Sequence, residues 1–267
     1  GLLCALASCW AGPPPMPATG LPEDWTGALH IHTLNGRGGH GSVGEVISAA
    51  RRADLDFVVF AEHDEMGALP DALDGVVLVP GLELSTPWGH LLAIGADEVP
   101  AEGTWDERLE ALALDGAFLA GAHPARGESG FTRWDAPWLH GVEVANGGTI
   151  LRDAAAMLPL ALPALFIEIP LAGMLRLAGA EDVSVGPWQE ASVDANLRDV
   201  LALHPHLTPV AGTDAHGRMG EAEYRYLFER VVMHVTVPPD ALPRDVVAAL
   251  RSGSGWIELD GRRLDLP

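Results

Sequence analysis

Cysteine is scarce. Cys4 and Cys9 are the two thiols in 267 residues, too few for a zinc ribbon or a disulfide framework. Positive charge is scarce as well, with 16 basic side chains against 37 acidic ones and a formal balance of -21. Nucleic acid is bound by clustered Lys and Arg that displace its counterions, so no nucleic-acid partner is expected. Nor is there a long unbroken apolar run. The most apolar stretch, from Ala154 to Leu177, is interrupted by Pro159, Pro163 and Pro170 and contains Glu168, which a lipid-facing spanning helix would not tolerate. Two short helices over the fold, or a lid over its mouth, are expected there. No Gly-x-Ser-x-Gly elbow occurs and both cysteines fall in the first nine residues, so neither a Ser nor a Cys nucleophile is expected.

What is present is enough apolar material, 48% of the chain, for one large α/β domain. Gly1 to Cys9 is apolar and ends in small residues, and Pro13, Pro14, Pro15 and Pro17 follow. That reads as the remnant of a signal peptide with a Pro-rich linker over residues 1–22. Leu6-Ala7-Ser8-Cys9 also resembles a bacterial lipobox, with Cys9 as the lipidation site. The expectation is an exported protein of the cell envelope, touching a membrane only through that anchor; a cytosolic protein with a frayed start is the alternative.

From residue 23 to 267 the pattern alternates. Apolar runs at 28–31, 57–61, 76–79, 91–94, 117–120, 142–145, 208–211 and 231–237 read as buried strands. Ser42 with Glu45, and Thr104 with Glu107, read as capping boxes opening helices; further helices are expected over 193–203 and 242–250. Strand–helix alternation without a linker argues for a single parallel α/β domain.

Eleven histidines are the compositional oddity, and their placement carries the argument. His30 and His32 end the first strand, and Glu62, His63 and Asp64 the second. Glu83 follows the third, His90 opens the next, His123 ends the fifth, Glu143 and Asn146 the sixth, and Asp214 and His216 the seventh. Side chains at the carboxyl ends of parallel strands converge on one face. In His30-Ile31-His32 the two imidazoles point the same way while Ile31 packs behind, and Asp214-Ala215-His216 repeats the spacing. Imidazole with carboxylate suits zinc, manganese or iron. His140, His204, His206 and His234 lack such context and read as surface or packing residues.

These segments, together with Gly27–Thr33, Gly81-Leu82-Glu83, Ala122-His123-Pro124 and Gly212–His216, resemble the PHP (polymerase and histidinol phosphatase) superfamily over roughly residues 26–255. Trp88-Gly89-His90 after Glu83, together with the secretion-type start, is most similar to its carbaryl-hydrolase-type branch. The resemblance implies a distorted (β/α)7 barrel of one domain, with an apolar helical insertion at about 150–190 after strand 6, and two or three divalent metals. It implies that His30, His32, Glu83 and Asp214 hold the first metal. Glu83 then bridges to a second, completed by His90 and His123, while His63 and His216 hold a third. The loop ligand usual after the HxHT segment is missing at Gly36-Arg37-Gly38-Gly39-His40, where His40 is the candidate replacement. Glu62, in place of the usual Asp, and Glu143 are expected to support the ligands from behind.

Such a centre would hydrolyse with a water activated between the cations and held by Glu83, His30, His32 and Asp214. A phosphoesterase on small phosphorylated molecules is the leading expectation. Arg126, Arg133 and Arg218 are candidate anion contacts and Asn146 a candidate substrate contact. Ester, amide or carbamate hydrolysis on the same core is the alternative, with Trp88, Trp134, Trp138 and Trp188 as candidate pocket walls. A metal- or ligand-binding surface lipoprotein without turnover is the alternative of another class.

Overall fold

A computed structural model describes residues 21–149 and 195–266. Cys9, nearly all of the expected leader, and the expected insertion with Trp188 lie outside the described residues. Among the described residues no helix is long and apolar enough to cross a membrane.

Among the described residues thirteen strands pair into two sheets. The first runs in the order β13 (Arg262–Arg263), β12 (Gly255–Leu259), β11 (Val231–Val237), β1 (Glu23–Ile31), β2 (Phe57–Phe60), β5 (Val76–Val79) and β4 (Ala72–Leu73). The second runs β10 (Thr208–Gly212), β9 (Gly141–Asn146), β8 (Phe118–Gly121), β7 (Gly89–Ile94), β6 (Gly81–Thr86) and β3 (Glu62–His63). Every apolar run read as a strand is one, and β2 and β5 are buried throughout. The uniformly parallel alternation is corrected, however. β1 pairs with β11, β6 with β7 and β7 with β8 antiparallel, while β1–β2, β2–β5, β3–β6, β8–β9 and β9–β10 are parallel. The pairings define a mixed α/β fold. Glu83 consequently lies inside a strand, in the β6–β7 hairpin, and not in a loop after β5. That hairpin turns at Gly89, whose φ of 102° and close approach to the Gly130 carbonyl leave no room for a side chain.

Both expected capping boxes are formed. Ser42 opens α1 (Val43–Arg52) and accepts from the Glu45 N–H, while the Glu45 carboxylate accepts from the Ser42 N–H at 2.7 Å. Thr104 and Glu107 do the same at α2 (Trp105–Leu114). The later helices among the described residues are α3 (Ala195–Leu203), α4 (Glu221–Phe228) and α5 (Pro243–Ser252). Of these, α4 is not legible in the apolar periodicity.

β1 carries the site because its neighbours are fixed on both sides. Ile31 packs with Val46, Ala50, Tyr224 and Phe228 in one apolar cluster, whereas Leu29 belongs to the other, with Val59, Leu82 and Val210. Ala61, between β2 and β3, donates to the Ile31 carbonyl at 2.9 Å. From the β10 side Thr213 donates to the Leu29 carbonyl at 2.7 Å, and His32 donates to the Ala215 carbonyl at 2.9 Å. The ends of β1, β3 and β10 are thereby held together, with the second sheet bringing β6 to β9 alongside.

Candidate metal centre

Eight of the expected ligands meet. Three sets of side chains each place one donor atom apiece within 4.8 Å of one another: His30, His32, Glu83 and Asp214; Glu83, His90 and His123; and His32, His63 and His216. Glu83 is common to the first two sets and His32 to the first and third. His40 belongs to none of them. It is exposed, and its backbone N–H donates to the His216 carbonyl at 2.7 Å. The donor that completes the third set is His32.

The backbone is bent to aim these side chains. His30, His123 and Asp214 all have positive φ, between 48° and 62°, a left-handed conformation costing about 1–2 kcal/mol for a residue with a Cβ. The β1–β2 register slips between Ala28 and Ile31, around His30. Such strain persists where surrounding structure over-determines it, and it gathers at functional sites.

Within the first set, His30 Nε2 lies 3.4 Å from Glu83 Oε2 and 3.6 Å from Asp214 Oδ1, and His32 Nε2 lies 3.3 Å and 3.4 Å from the same two oxygens. His30 and His32 are fully buried, and His30 Nε2, both ring nitrogens of His32 and Asp214 Oδ1 have no hydrogen-bond partner. Buried polar atoms are costly unless satisfied. A tetrahedron with ligand distances of about 2.0–2.2 Å has edges of roughly 3.3–3.6 Å, so these four atoms fit a divalent cation. In the second set Glu83 Oε1 is 2.6 Å from His90 Nδ1 and 2.7 Å from His123 Nε2. The two oxygens of Glu83 thus face different groups, as a bridging carboxylate must.

Electrostatics agree with a cation-seeking pocket. Burial opposes charge on His30, yet Glu143, Glu83 and Asp214 outweigh it and hold its imidazole well above the ordinary histidine range. Burial pushes Glu83 up, but His30, His123 and His32 bring it well below the usual carboxylate range. Asp214 is likewise lowered, against burial, by His30 and His32 and then by Arg126. Burial lowers His63, and burial with the nearby His32 brings His216 down to about 4. Those two imidazoles are neutral near neutral pH, with a lone pair to offer.

Carboxylates behind the ligands fix their rings. Glu143 Oε1 accepts from His30 Nδ1 at 2.8 Å, and Asn146 Nδ2 donates to Glu143 Oε2 at 2.9 Å. Asn146 Oδ1 accepts from the Thr149 N–H, so Asn146 braces Glu143 from behind. Glu62 accepts from the Thr33 N–H at 2.9 Å and the Thr33 hydroxyl at 2.5 Å, clamping the residue after His32.

The three arginines part company. Arg126 reaches the centre and ion-pairs with Asp214 Oδ2. Arg133 does not contact it. Its guanidinium pairs with Asp106 at 2.8 Å and lies over the Trp88 ring at 4.2 Å, while Trp138 donates to the same carboxylate. Trp134 and Trp138 both pack edge-on against Phe131. That is a packing cluster, which corrects the expectation of an anion contact at Arg133. Arg218 is exposed two residues beyond His216. Outside the site, His140 and His234 pack as expected: His140 Nδ1 accepts from the Leu119 N–H, and His234 stacks on Trp256.

Two residues missing from the sequence reading lie on α4. Glu223 accepts from the backbone N–H groups of His216, Gly217 and Met219, and the Tyr224 hydroxyl donates to the His32 carbonyl at 2.7 Å.

No family model matches the chain, and no curated protein matches it. Solved structures do. One is a two-domain protein from Bacteroides vulgatus ATCC 8482 containing a predicted PHP-like metal-dependent phosphoesterase, similar with a TM-score of 0.55 at 16% identity over 89% of this chain and 65% of that one. Another is Endonuclease Q in complex with a 27-mer duplex substrate carrying an abasic lesion, with a TM-score of 0.47 at 12% identity over 89% of this chain and 58% of that one. The chain therefore spans less than two thirds of either neighbour, and the first likeness shows a shared fold. The second complex holds DNA, at odds with the expectation, drawn from a net charge of -21, that no nucleic acid is bound here.

Proposed function

We propose that this protein is a metal-dependent hydrolase with a PHP-type (β/α)7 barrel, acting as a phosphoesterase on small phosphorylated molecules. The observation that carries the reading is the sharing of Glu83 between two donor sets that are buried apart from His90, the arrangement of a site built for two cations. The fold likeness to a protein described as containing a PHP-like metal-dependent phosphoesterase supports it. The carbaryl-hydrolase-type branch is proposed from the Trp88-Gly89-His90 segment after Glu83.

His30, His32, Glu83 and Asp214 would hold one zinc, manganese or iron ion, and Glu83, His90 and His123 another. Divalent cations supply Lewis acidity, which makes a nucleophile of water near neutral pH and offsets charge on the substrate's oxygens. The chain's own residues supply placement. Glu143 keeps the proton of His30 on Nδ1 and so leaves Nε2 facing Glu83 and Asp214. Arg126, beside Asp214, offers a planar guanidinium to an anionic substrate. It favours phosphate over an ester or carbamate, because the Trp88, Trp134 and Trp138 rings are engaged with Arg133 and Phe131.

The test is a screen of wild type and Glu83→Ala, supplied with manganese or zinc, against phosphomonoesters, phosphodiesters, aryl esters, carbamates and duplex DNA. Turnover of small phosphate esters by wild type and not by the variant is expected. Preference for aryl esters, carbamates or DNA would overturn the substrate assignment, and equal turnover by the variant would overturn the site.

A further inference from the structure

The third donor set lacks a loop ligand and leans on His32, which already faces Glu83 and Asp214. Its geometry therefore depends on how firmly His32 and His216 are held, and both backbones are gripped by one helix. Glu223 is the third residue of α4, where a carboxylate is favoured by the positive end of the helix. The helix begins at Gly220 with no side-chain cap, and Glu223 reaches back over that end. Its Oε1 accepts from His216 N at 2.8 Å and Gly217 N at 3.2 Å, and its Oε2 from Met219 N at 3.2 Å. His216 is then oriented twice, since its Nδ1 also lies 2.9 Å from the Asp214 carbonyl, leaving Nε2 as the free donor. The adjacent Tyr224, with no exposed surface, anchors the His32 carbonyl through its hydroxyl. The rings so fixed have centroids 4.3 Å apart.

We infer that Glu223 and Tyr224 are positioning residues that create the His63–His216 cation site beside His32, in place of the ligand missing from the Gly36–His40 loop. The inference rests on the metal reading of the centre. Neither residue touches a cation or a substrate; each acts through the backbone of a ligand. Gln at 223 keeps one acceptor oxygen for His216 but turns an NH2 toward another backbone N–H, so it weakens the grip without emptying the space. Removing a hydrogen bond that orients a ligand lowers metal affinity by about 10–100-fold.

The experiment is zinc counting by elemental analysis, with chelator competition, on full-length wild type, His216→Ala, Glu223→Ala, Glu223→Gln and Tyr224→Phe, each checked for fold by circular dichroism. Loss of one equivalent is expected in His216→Ala and Glu223→Ala, with the zinc held through Glu83 retained. In Glu223→Gln and Tyr224→Phe the weakest-bound equivalent should loosen by about 10–100-fold. If Glu223→Ala does not fold, Glu223→Gln decides. Full, equally tight zinc in the Glu223 and Tyr224 variants while His216→Ala loses one equivalent would overturn the positioning role alone. Unchanged zinc in His216→Ala would overturn the third site itself, leaving the two sets that share Glu83 untouched.

Discussion

Glu143 Oε1 accepts a hydrogen bond from His30 Nδ1 at 2.8 Å, and both side chains are buried. The carboxylate pins the tautomer and the ring angle of a ligand it does not replace. Glu143→Gln keeps the shape and one acceptor but discards the charge that favours a more basic imidazole. Metal affinity is expected to fall about 10–100-fold, with kcat falling at subsaturating metal and recovering in part when metal is raised. Isothermal titration with zinc or manganese checks this; affinity within twofold of wild type would show that the contact does not tune the site.

Gly212 faces the same pair from β10. A Cβ there would collide with Glu143 Oε1 and come within 2.7 Å of His30 Cβ. Neither neighbour is the free end of an exposed side chain, so the collision must be relieved by displacing the relay. Gly212→Ala is expected to cost about 1–3 kcal/mol of stability and to lower bound metal as well. A urea titration alongside metal counting separates the two losses, and an unperturbed protein with full metal content would contradict the packing described.

Much of this site is legible in the chain because it depends on short-range spacing. His30-Ile31-His32 and Asp214-Ala215-His216 are two-residue alternations at or just beyond strand ends, Glu62 follows one apolar run that reads as a strand, and Glu143 lies within another. The misses depend on partners distant in sequence. Arg133 looks free until Asp106, 27 residues earlier, is brought against it. His40 is near the missing ligand along the chain, yet its backbone is what binds His216, and its ring stays in solvent. The helix α4 begins with Glu221 and Glu223 after an uncapped glycine, so nothing in its apolar periodicity announces it. Glu223 is an acidic residue whose three partners are backbone N–H groups, invisible to any reading of side chains.

Asp214 joins the first donor set and holds Arg126, and His30 lies at the junction of Glu83, Asp214 and Glu143. Asp214→Ala and His30→Ala should each reduce hydrolysis roughly a thousandfold or more, about 4 kcal/mol of transition-state stabilisation, while far-UV circular dichroism stays that of wild type. Steady-state assays with purified variants at saturating metal are the check. Retention of more than a tenth of wild-type activity by either would take that residue out of the mechanism.

His140 offers a pH test away from the candidate metal ligands. Its Nδ1 accepts from the Leu119 N–H at 3.1 Å, which requires an unprotonated nitrogen, and burial together with Arg251 brings its pKa down to about 4 from an ordinary 6.5. The unfolded chain therefore binds more protons than the folded one between those values. Stability is then fully present above pH 6.5 and declines as pH falls toward 4. His140→Asn keeps an acceptor for Leu119 and removes the titration. Urea midpoints from pH 4 to 8 should show wild type falling toward, or below, the variant on the acid side and exceeding it above pH 6.5. A separation between the two proteins that does not change with pH would mean that His140 is not the linked group.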